Sequence, residues 1–521
     1  MRDRRAHHNL FVVSANNQEP GLNQEQVLDT LFLVEKGNIA DFGRRAEKDV
    51  VLAGGPAEPE KAYYFGNTVE FPFNSPKLQP QHAAFLAAYG LGSCESAAAG
   101  ASGYLHTITP VDGVDALRDL PTFTAAQRLG QTIESRLYVS MLVDSFTLSF
   151  AKDDWLKAQA TFKASGKTQS NMLTEEITGN SDDDTVTLAE NAVAGSTAQA
   201  RLDAVHKVFF KRDDQDYWSE AQVLAASGAT PAVLSIVPPD ATGTHAGVFK
   251  VIYAPDPSTS LETGSATADP AYDLDNNQST LTDGAATLTP DAHVGRWLVM
   301  TSGTASGAMF LISGNTATVI TLDGYDLYSR GVRSADTYKI VNRAWLPLSQ
   351  SKVDQPPLRC NQVQVILGGH FDGSAISGGW RLGNECNSLE WALQNASEIP
   401  FLAGDKDYAS AADRGERTQT LKVDRRMMDA IYRALLEAGS GDNQDEPDYF
   451  AVQMVAEGPE YEDGYTYLVR VTWPRVALMA AKPGLDGQKL SEELELAVLS
   501  DPDYGSVVVE VRDKVATYAA A

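Results

Sequence analysis

The sequence predicts a mainly β, α+β protein built from two similar strand-rich units, each with one short helix, and an all-β region inserted between them. Three observations lead there. Apolar residues recur at every second position through long stretches, the pattern of strands with one face on a core. Only two segments carry a convincing helical period. Between the two strand-rich halves the composition shifts to Thr, Ser, Ala, Gly and Asp, over about residues 169–350.

In the first half, a strand at Val27–Val34 is expected to lead into a long loop from Glu35 to about Glu60, then a strand at Tyr63–Asn74. A helix follows at Pro80–Tyr89. Pro80 suits the first turn, Phe85, Leu86 and Tyr89 share a face, and Gly90 and Gly92 follow the end. Alternation then marks Leu137–Phe150 and Trp155–Ala164, with Asp153-Asp154 as the turn between them. The second half repeats this order. A strand at Ser388–Gln394 leads into a loop from Asn395 to Gly415, and a strand at Arg417–Val423 returns. The second helix is expected over Asp424–Glu437, capped by Asp424, with Met428, Ile431, Tyr432, Leu435 and Leu436 as its apolar stripe and Gly439 at its end. Long strands at Tyr465–Met479 and Leu490–Leu499 close the half. Strand, long loop, strand, helix, strands is thus written twice, which points to duplication. The expected units are 1–170, 171–350 and 351–521.

The middle unit shows strands at Ala204–Lys211, Val233–Val237 and Val248–Tyr253, then at Arg296–Met300, Met309–Ile312 and Val319–Leu322. Gly303, Gly307 and Gly314 punctuate the latter group as turns. These read as one or two small lobes that face solvent and can be removed without harm to the rest.

The formal net charge of −27 argues against nucleic-acid binding, because phosphate contacts require basic patches of a size absent here. An acidic surface suits DNA that passes without sticking. No apolar run approaches the ~20 residues of a membrane helix. Leu10–Val13, after the basic start, is too short for a signal-peptide core. Cys94, Cys360 and Cys386 form no CxxC pair and have no histidine at zinc spacing, so free buried thiols are expected. Asp182-Asp183-Asp184 reads as a solvated loop. Asp273, Asp275 and Asn277 have calcium-loop spacing, but Gln278 and Gly284 stand where glycine and glutamate are required. His7-His8 reads as a tail, and Gly368-Gly369 and Gly378-Gly379 as hairpin turns. No Gly-x-Ser-x-Gly elbow is present, although a catalytic triad assembled from distant residues would leave no motif. No cofactor, metal or catalytic residue is therefore expected. The candidate site is the loop Asn395–Gly415 with its exit strand. Its apolar Ile399, Pro400, Phe401 and Leu402 have no partner in their own hairpin. Asp405, Lys406, Asp407, Asp413, Arg414, Glu416 and Arg417 suit an adaptable polar contact.

Three stretches resemble the tail tube proteins of long-tailed bacteriophages. Asp144–Phe150 followed by Trp155–Lys167 is similar to the family's paired strands ending in a small-residue-Gly-Lys turn. Tyr104–Pro110 and Leu120–Thr124 resemble its Thr-Pro and Leu-Pro strands. Leu389–Asn395, the loop and Arg417–Val423 resemble a strand ending in Asn, the long inter-ring loop and its return. The matches span most of residues 25–170 and 360–510. The resemblance implies a structural virion protein, not an enzyme, with two tube domains in one chain, each a β-sandwich or barrel flanked by a helix. Its partners would be copies of itself, in stacked trimeric rings of pseudo-hexameric symmetry, with a hexamer as the alternative. It also implies a tape measure protein, tail terminator and distal tail proteins, and DNA passing through the lumen unbound, with no membrane. Assembly would take place in the host cytoplasm and the mature location would be the virion tail. The residues Ile399, Phe401, Leu402, Asp405, Asp407, Arg414 and Arg417 would then contact the adjacent ring. A β-rich tail-associated hydrolase and another virion shell protein are the competing expectations.

Overall fold

The computed structural model describes residues 6, 9–48, 58, 62–111, 120–130, 134–256, 259–342, 348, 352–405, 407–438 and 447–520. His7-His8, Lys406, Gly439 and most of the segment 49–61 lie outside them. The chain is mainly β, and its described residues include three α-helices: α1 (Pro80–Leu91), α2 (Ala198–Ala204) and α3 (Ile431–Ala438).

Among the described residues, eighteen strands join into one continuous sheet that folds over on itself. Ten come from the first half: β1 (Leu10–Val13), β2 (Thr30–Phe32), β3 (Asp41–Lys48), β4 (Ala62–Ser75), β5 (Gly92–Ala98), β6 (Tyr104–Pro110), β7 (Phe123–Leu129), β8 (Glu134–Ala151), β9 (Lys157–Ala164) and β10 (Thr168–Ser170). Eight come from the second: β11 (Val363–Leu367), β12 (Trp380–Arg381), β13 (Cys386–Gln394), β14 (Thr418–Arg426), β15 (Tyr449–Glu462), β16 (Tyr465–Asp486), β17 (Lys489–Leu499) and β18 (Val508–Asp513).

The pairing order of the first half is β2-β1-β7-β8-β9-β4-β3. That of the second is β12-β11-β15-β16-β17-β14-β13. The two orders are the same, strand for strand, and α1 and α3 each follow the fourth strand. Two of the ladder irregularities coincide as well. β8 shifts register against β9 between Val143 and Ser145, and β16 against β17 between Leu478 and Ala480. β7 shifts against β8 at Phe123/Ala125, and β15 against β16 at Phe450/Val452. A bulge bends the strand it interrupts, so matched bulges give both halves the same curvature.

The expected strand Val27–Val34 is shorter, and its role is taken by another. Thr30–Phe32 pairs with β1, whereas Asp41–Lys48, inside the expected loop, is the strand that pairs with β4. Residues such as Asp41, Arg44 and Arg45 show little apolar alternation, because this strand stands on the surface as half of a long hairpin. The second helix also starts later than expected. Asp424 lies in β14, where Asn387 donates to its carboxylate, and Asp429 caps α3 by accepting from the Ile431 N–H. α1 does begin at Pro80 and ends at Gly92, whose φ of 101° closes the helix in a left-handed turn. Its residues are buried on every side, as befits a helix rich in alanine wedged between the halves.

One apolar core runs through both halves. Phe11, Phe71, Phe73, Phe85, Phe123 and Phe162 interlock in the first, and Trp391, Trp473, Val469 and Leu494 in the second. The inserted region forms two lobes. In the first, Leu173–Asn180, Ala246–Tyr253, Val205–Arg212 and Ser219–Ala221 face a three-stranded sheet over Val208, Phe210, Leu234 and Phe249. In the second, two four-stranded sheets enclose Leu281, Leu298, Phe310, Ile320 and Ile340.

The second lobe is not a free appendage. Its Trp297, Val299, Met309 and Val341 share an apolar cluster with Val12, Leu31, Ala126, Leu137 and Val139 of the first half. Beneath this contact, Lys167 Nζ meets the buried Glu25 carboxylate at 2.5 Å and the Tyr325 hydroxyl donates to Glu25 at 2.7 Å. Burial alone would lower the Lys167 pKa, but Glu25 and Tyr325 raise it further, so the ammonium stays charged.

Candidate functional site

The two halves meet edge to edge. The C-terminal part of β8 pairs with β13 in a ladder running from Ser388↔Ala151 to Gln394↔Ser145. Trp391, opposite Leu148, sets its ring edge-on to Phe146 and to Trp473, at 5.1 and 5.5 Å between centroids. Aromatic contacts of this geometry add to the burial they bring. Asp144, at the β8 bulge, finishes the ladder. Its carbonyl accepts from Asn395 N–H (2.7 Å), and its carboxylate accepts from Ser397 N–H (2.7 Å) and pairs with Lys163 (3.2 Å). Asn395 in turn donates its side-chain amide to the carbonyls of Gly90 and Val143, both at 3.0 Å. Arg417 donates to the Leu91 carbonyl at 3.4 Å. Asn395 and Arg417 thus occupy the C-terminal carbonyls of α1, where a cation is favoured.

The loop between them lies across the first half. Phe401 covers Gly66 so closely that a Cβ there would come within 2.2 Å of the ring. The Arg45 guanidinium stands 5.7 Å above the same ring. Asp407 pairs with Arg44 at 2.7 Å, and its carbonyl accepts from Asn67 N–H. Ala409 donates its N–H to the Ser165 carbonyl and accepts from the Asn23 side chain. Asp405 accepts from the N–H groups of Leu402 and Ser410, and hydrogen bonding from the Ser410 side chain first, then from these N–H groups, holds its carboxyl below the usual range. Arg414 reaches the Val111 carbonyl at 3.5 Å. Ile399 lines a cavity of about 550 Å³ with Phe401, and Arg414 lines a second of about 590 Å³. The apolar group therefore finds its partner in the other half of the chain, not in its own hairpin. Leu402 and Asp407 remain exposed.

Two polar clusters had no sequence signature, because each joins segments more than 100 residues apart. In the first, Ser96 Oγ lies 2.8 Å from His106 Nδ1, and His106 Nε2 lies 3.1 Å from Asp513 Oδ1. Tyr518 donates to the other Asp513 oxygen at 2.6 Å. The order Ser, His, Asp is that of a nucleophilic triad. The protonation state is not. Burial works to lower the His106 pKa, but the bonds to Asp513 and Cys94 override it and push it up to about 9. The cluster joins the β5–β6 hairpin to β18 and the C-terminal segment. The second cluster is Glu19, which accepts from Thr122, Thr124 and Ser140. Burial raises its pKa and those hydrogen bonds oppose the rise.

Asp182, Asp183 and Asp184 separate in function: Asp182 accepts from Thr244 and Asp183 from Asn180 N–H. Asp273 accepts from the N–H groups of Asp275 and Asn276 in a tight turn. Among the described residues, no group of three or more His, Cys, Asp or Glu side chains could hold a metal ion. The three cysteines are free and half-buried. Gly368-Gly369 and Gly378-Gly379 face each other across the base of the His370–Phe371/Ile376–Ser377 hairpin, not at its tip.

No protein-family model matches this chain, and no curated protein matches it in sequence.

Proposed function

We propose that this protein is a structural subunit that polymerises into stacked rings, forming the tail tube of a long-tailed phage. The observation that carries the reading is the β8–β13 junction. One unit extends the sheet of an equivalent unit through it, so a single chain already holds one copy of a contact that can repeat. A contact between unlike edges generates a ring when its rotation closes. Two equivalent units per chain suit three chains in a pseudo-hexameric ring, with a plain hexamer as the alternative. The sequence resemblance supports the same reading, and so does the acidic charge, which suits a conduit through which DNA and a tape measure protein slide. Tail terminator and distal tail proteins would close the two ends. Negative-stain electron microscopy of concentrated protein, with tail initiator proteins present, tests it. Rings or tubes are expected, and discrete monomers at every concentration would overturn it.

One observation favours a hydrolase instead, the Ser96–His106–Asp513 relay. A serine-directed fluorophosphonate probe separates the two readings. No labelling of Ser96 at neutral pH is expected for a structural subunit, and stoichiometric labelling would favour the enzyme.

A further inference from the structure

The two halves share one fold, yet their edges are used differently. β13 is seated on β8, whereas among the described residues the matching edge of β16, Ala480–Asp486, pairs with no strand on its outer side. Among the described residues β3, the counterpart of β13, pairs with no strand but β4. α1 is buried on all sides, whereas α3 leaves Ile431 46% and Leu436 38% exposed, and Met428 before it and Met479 on β16 are 70% and 63% exposed. An open strand edge next to exposed apolar side chains is a docking surface in waiting.

We infer that this surface receives the β3–β4 arm of a second copy of the same chain, in the register that β13 takes on β8. The inference rests on the polymer reading above and names its contact. The matched bulges set the correspondence: Ser145 answers to Ala480, and Asp144 to Met479. Thr161 and Glu495 are their partners on the next strand, and these face Pro72 and Lys422. Counting along to β3 and β13, Asp41 faces Glu70 as Ala392 faces Thr420, so Asp41 answers to Ala392. Within the chain Ala392 lies opposite Thr147, Leu393 opposite Phe146 and Gln394 opposite Ser145. Between copies the same register sets Asp41 opposite Lys482, Phe42 opposite Ala481 and Gly43 opposite Ala480.

The chemistry of these positions fits. Asp41 and Lys482 are both exposed and carry opposite charge directly across the strands, and Lys482 otherwise rests on Glu495 of its own hairpin. Asn395 and Arg417, which reach the C-terminal carbonyls of α1, correspond to Arg44 and Asn67 on the arm. The arm therefore lies at the C-terminal end of α3, where an arginine is favoured. Its exposed Tyr63, Tyr64 and Phe65 are adjacent, and the receiving side offers Met479 and the α3 face.

The contact between copies is shorter than the one within the chain. Pro483 has no N–H to give a partner strand, and the Gln127 side chain already occupies the Asn38 carbonyl and the Ala40 N–H. Met479 lacks the carboxylate with which Asp144 holds Ser397 and Lys163. The ladder is thus confined to Asp41–Gly43 and its flanks. The inner junction stays closed while the outer one opens and closes with concentration.

Charge exchange tests the register. Asp41→Lys and Lys482→Asp should each raise the concentration for half-assembly about tenfold, and the double variant should return most of the loss. Both sites are exposed, and circular dichroism verifies folding. Amide hydrogen exchange needs no variant: residues 479–486 should slow at least tenfold in polymers relative to free subunits. Polymers that form normally from both single variants, or whose 479–486 amides exchange as in free subunits, overturn the junction and leave the tube reading standing. A wild-type protein that stays monomeric throughout overturns both.

Discussion

His82 and His106 are both buried, and they are held in opposite protonation states. His82, on α1, meets Ser75 Oγ through Nδ1 at 3.0 Å, and burial lowers its pKa to about 3. His106 is raised to about 9, since its bonds to Asp513 and Cys94 outweigh burial. The signs follow. A raised folded pKa stabilises fully below the unfolded value near 6.5 and is lost as pH rises toward 9. A lowered one stabilises above 6.5 and is lost as pH falls toward 3. Urea denaturation of His106→Gln should therefore show a deficit of roughly 3 kcal/mol at pH 6 that narrows steadily up to pH 9.5. A deficit independent of pH would mean that the ring packs but does not carry charge. The Lys167–Glu25 pair yields a second expectation. Lys167→Met leaves the buried Glu25 carboxylate without its ammonium partner, held only by the Tyr325 hydroxyl, and should cost about 3–5 kcal/mol, while Glu25→Gln with Lys167→Met should cost clearly less. The same denaturation series reads both. None of these partnerships was visible in the sequence, because Ser96, His106 and Asp513 share no local spacing.

At the scale of elements, the loop Asn395–Gly415 is ordered by the other half of its own chain. Phe401 on Gly66 is its closest apolar contact with that half among the described residues. Gly66 has φ 147°, a conformation that side chains rarely adopt, so Gly66→Ala both strains β4 and expels the ring. Trypsin should then cut after Arg414 and Arg417 several-fold faster than in the wild type, with the melting temperature lowered by only a few degrees. An unchanged cutting rate would show that the polar contacts of Asp407 and Ala409 alone hold the loop. The sequence placed this loop and its two strands correctly, since alternation in Leu389, Trp391 and Leu393 is plain. It misplaced the first-half counterpart. Asp41–Lys48 is a strand made by pairing with β4, and a surface hairpin with polar residues on both faces leaves no periodic trace.

On the scale of the whole molecule, the two inserted lobes differ in how they are held. Removal of residues 173–256 takes away a lobe with its own core and should leave a soluble, folded chain. Removal of both lobes, 173–341, also strips the cover from Val12, Leu31, Leu137 and Val139 and takes Tyr325 away from the buried Glu25–Lys167 pair. That chain should aggregate or melt well below the first, as read by light scattering during a thermal ramp. Equal behaviour of the two deletions would show that the second lobe is as dispensable as the first. Composition marked the insertion, but not this difference, because a cover of Trp297, Val299 and Met309 reads as ordinary strand residues until the fold sets them against β1 and β8.

The sequence alone determined the mainly β class, the long strands, the buried helix at Pro80, the repeated order of elements and the acidic charge. All of these are carried by local period and composition, which survive without knowledge of neighbours. The tertiary structure decided which edges meet. It set β13 on β8, buried α1 while leaving α3 exposed, laid the loop on Gly66 and docked one lobe but not the other. Such choices depend on which of several equivalent edges and faces come together. Two copies of one pattern in a chain are alike locally, and only packing tells them apart.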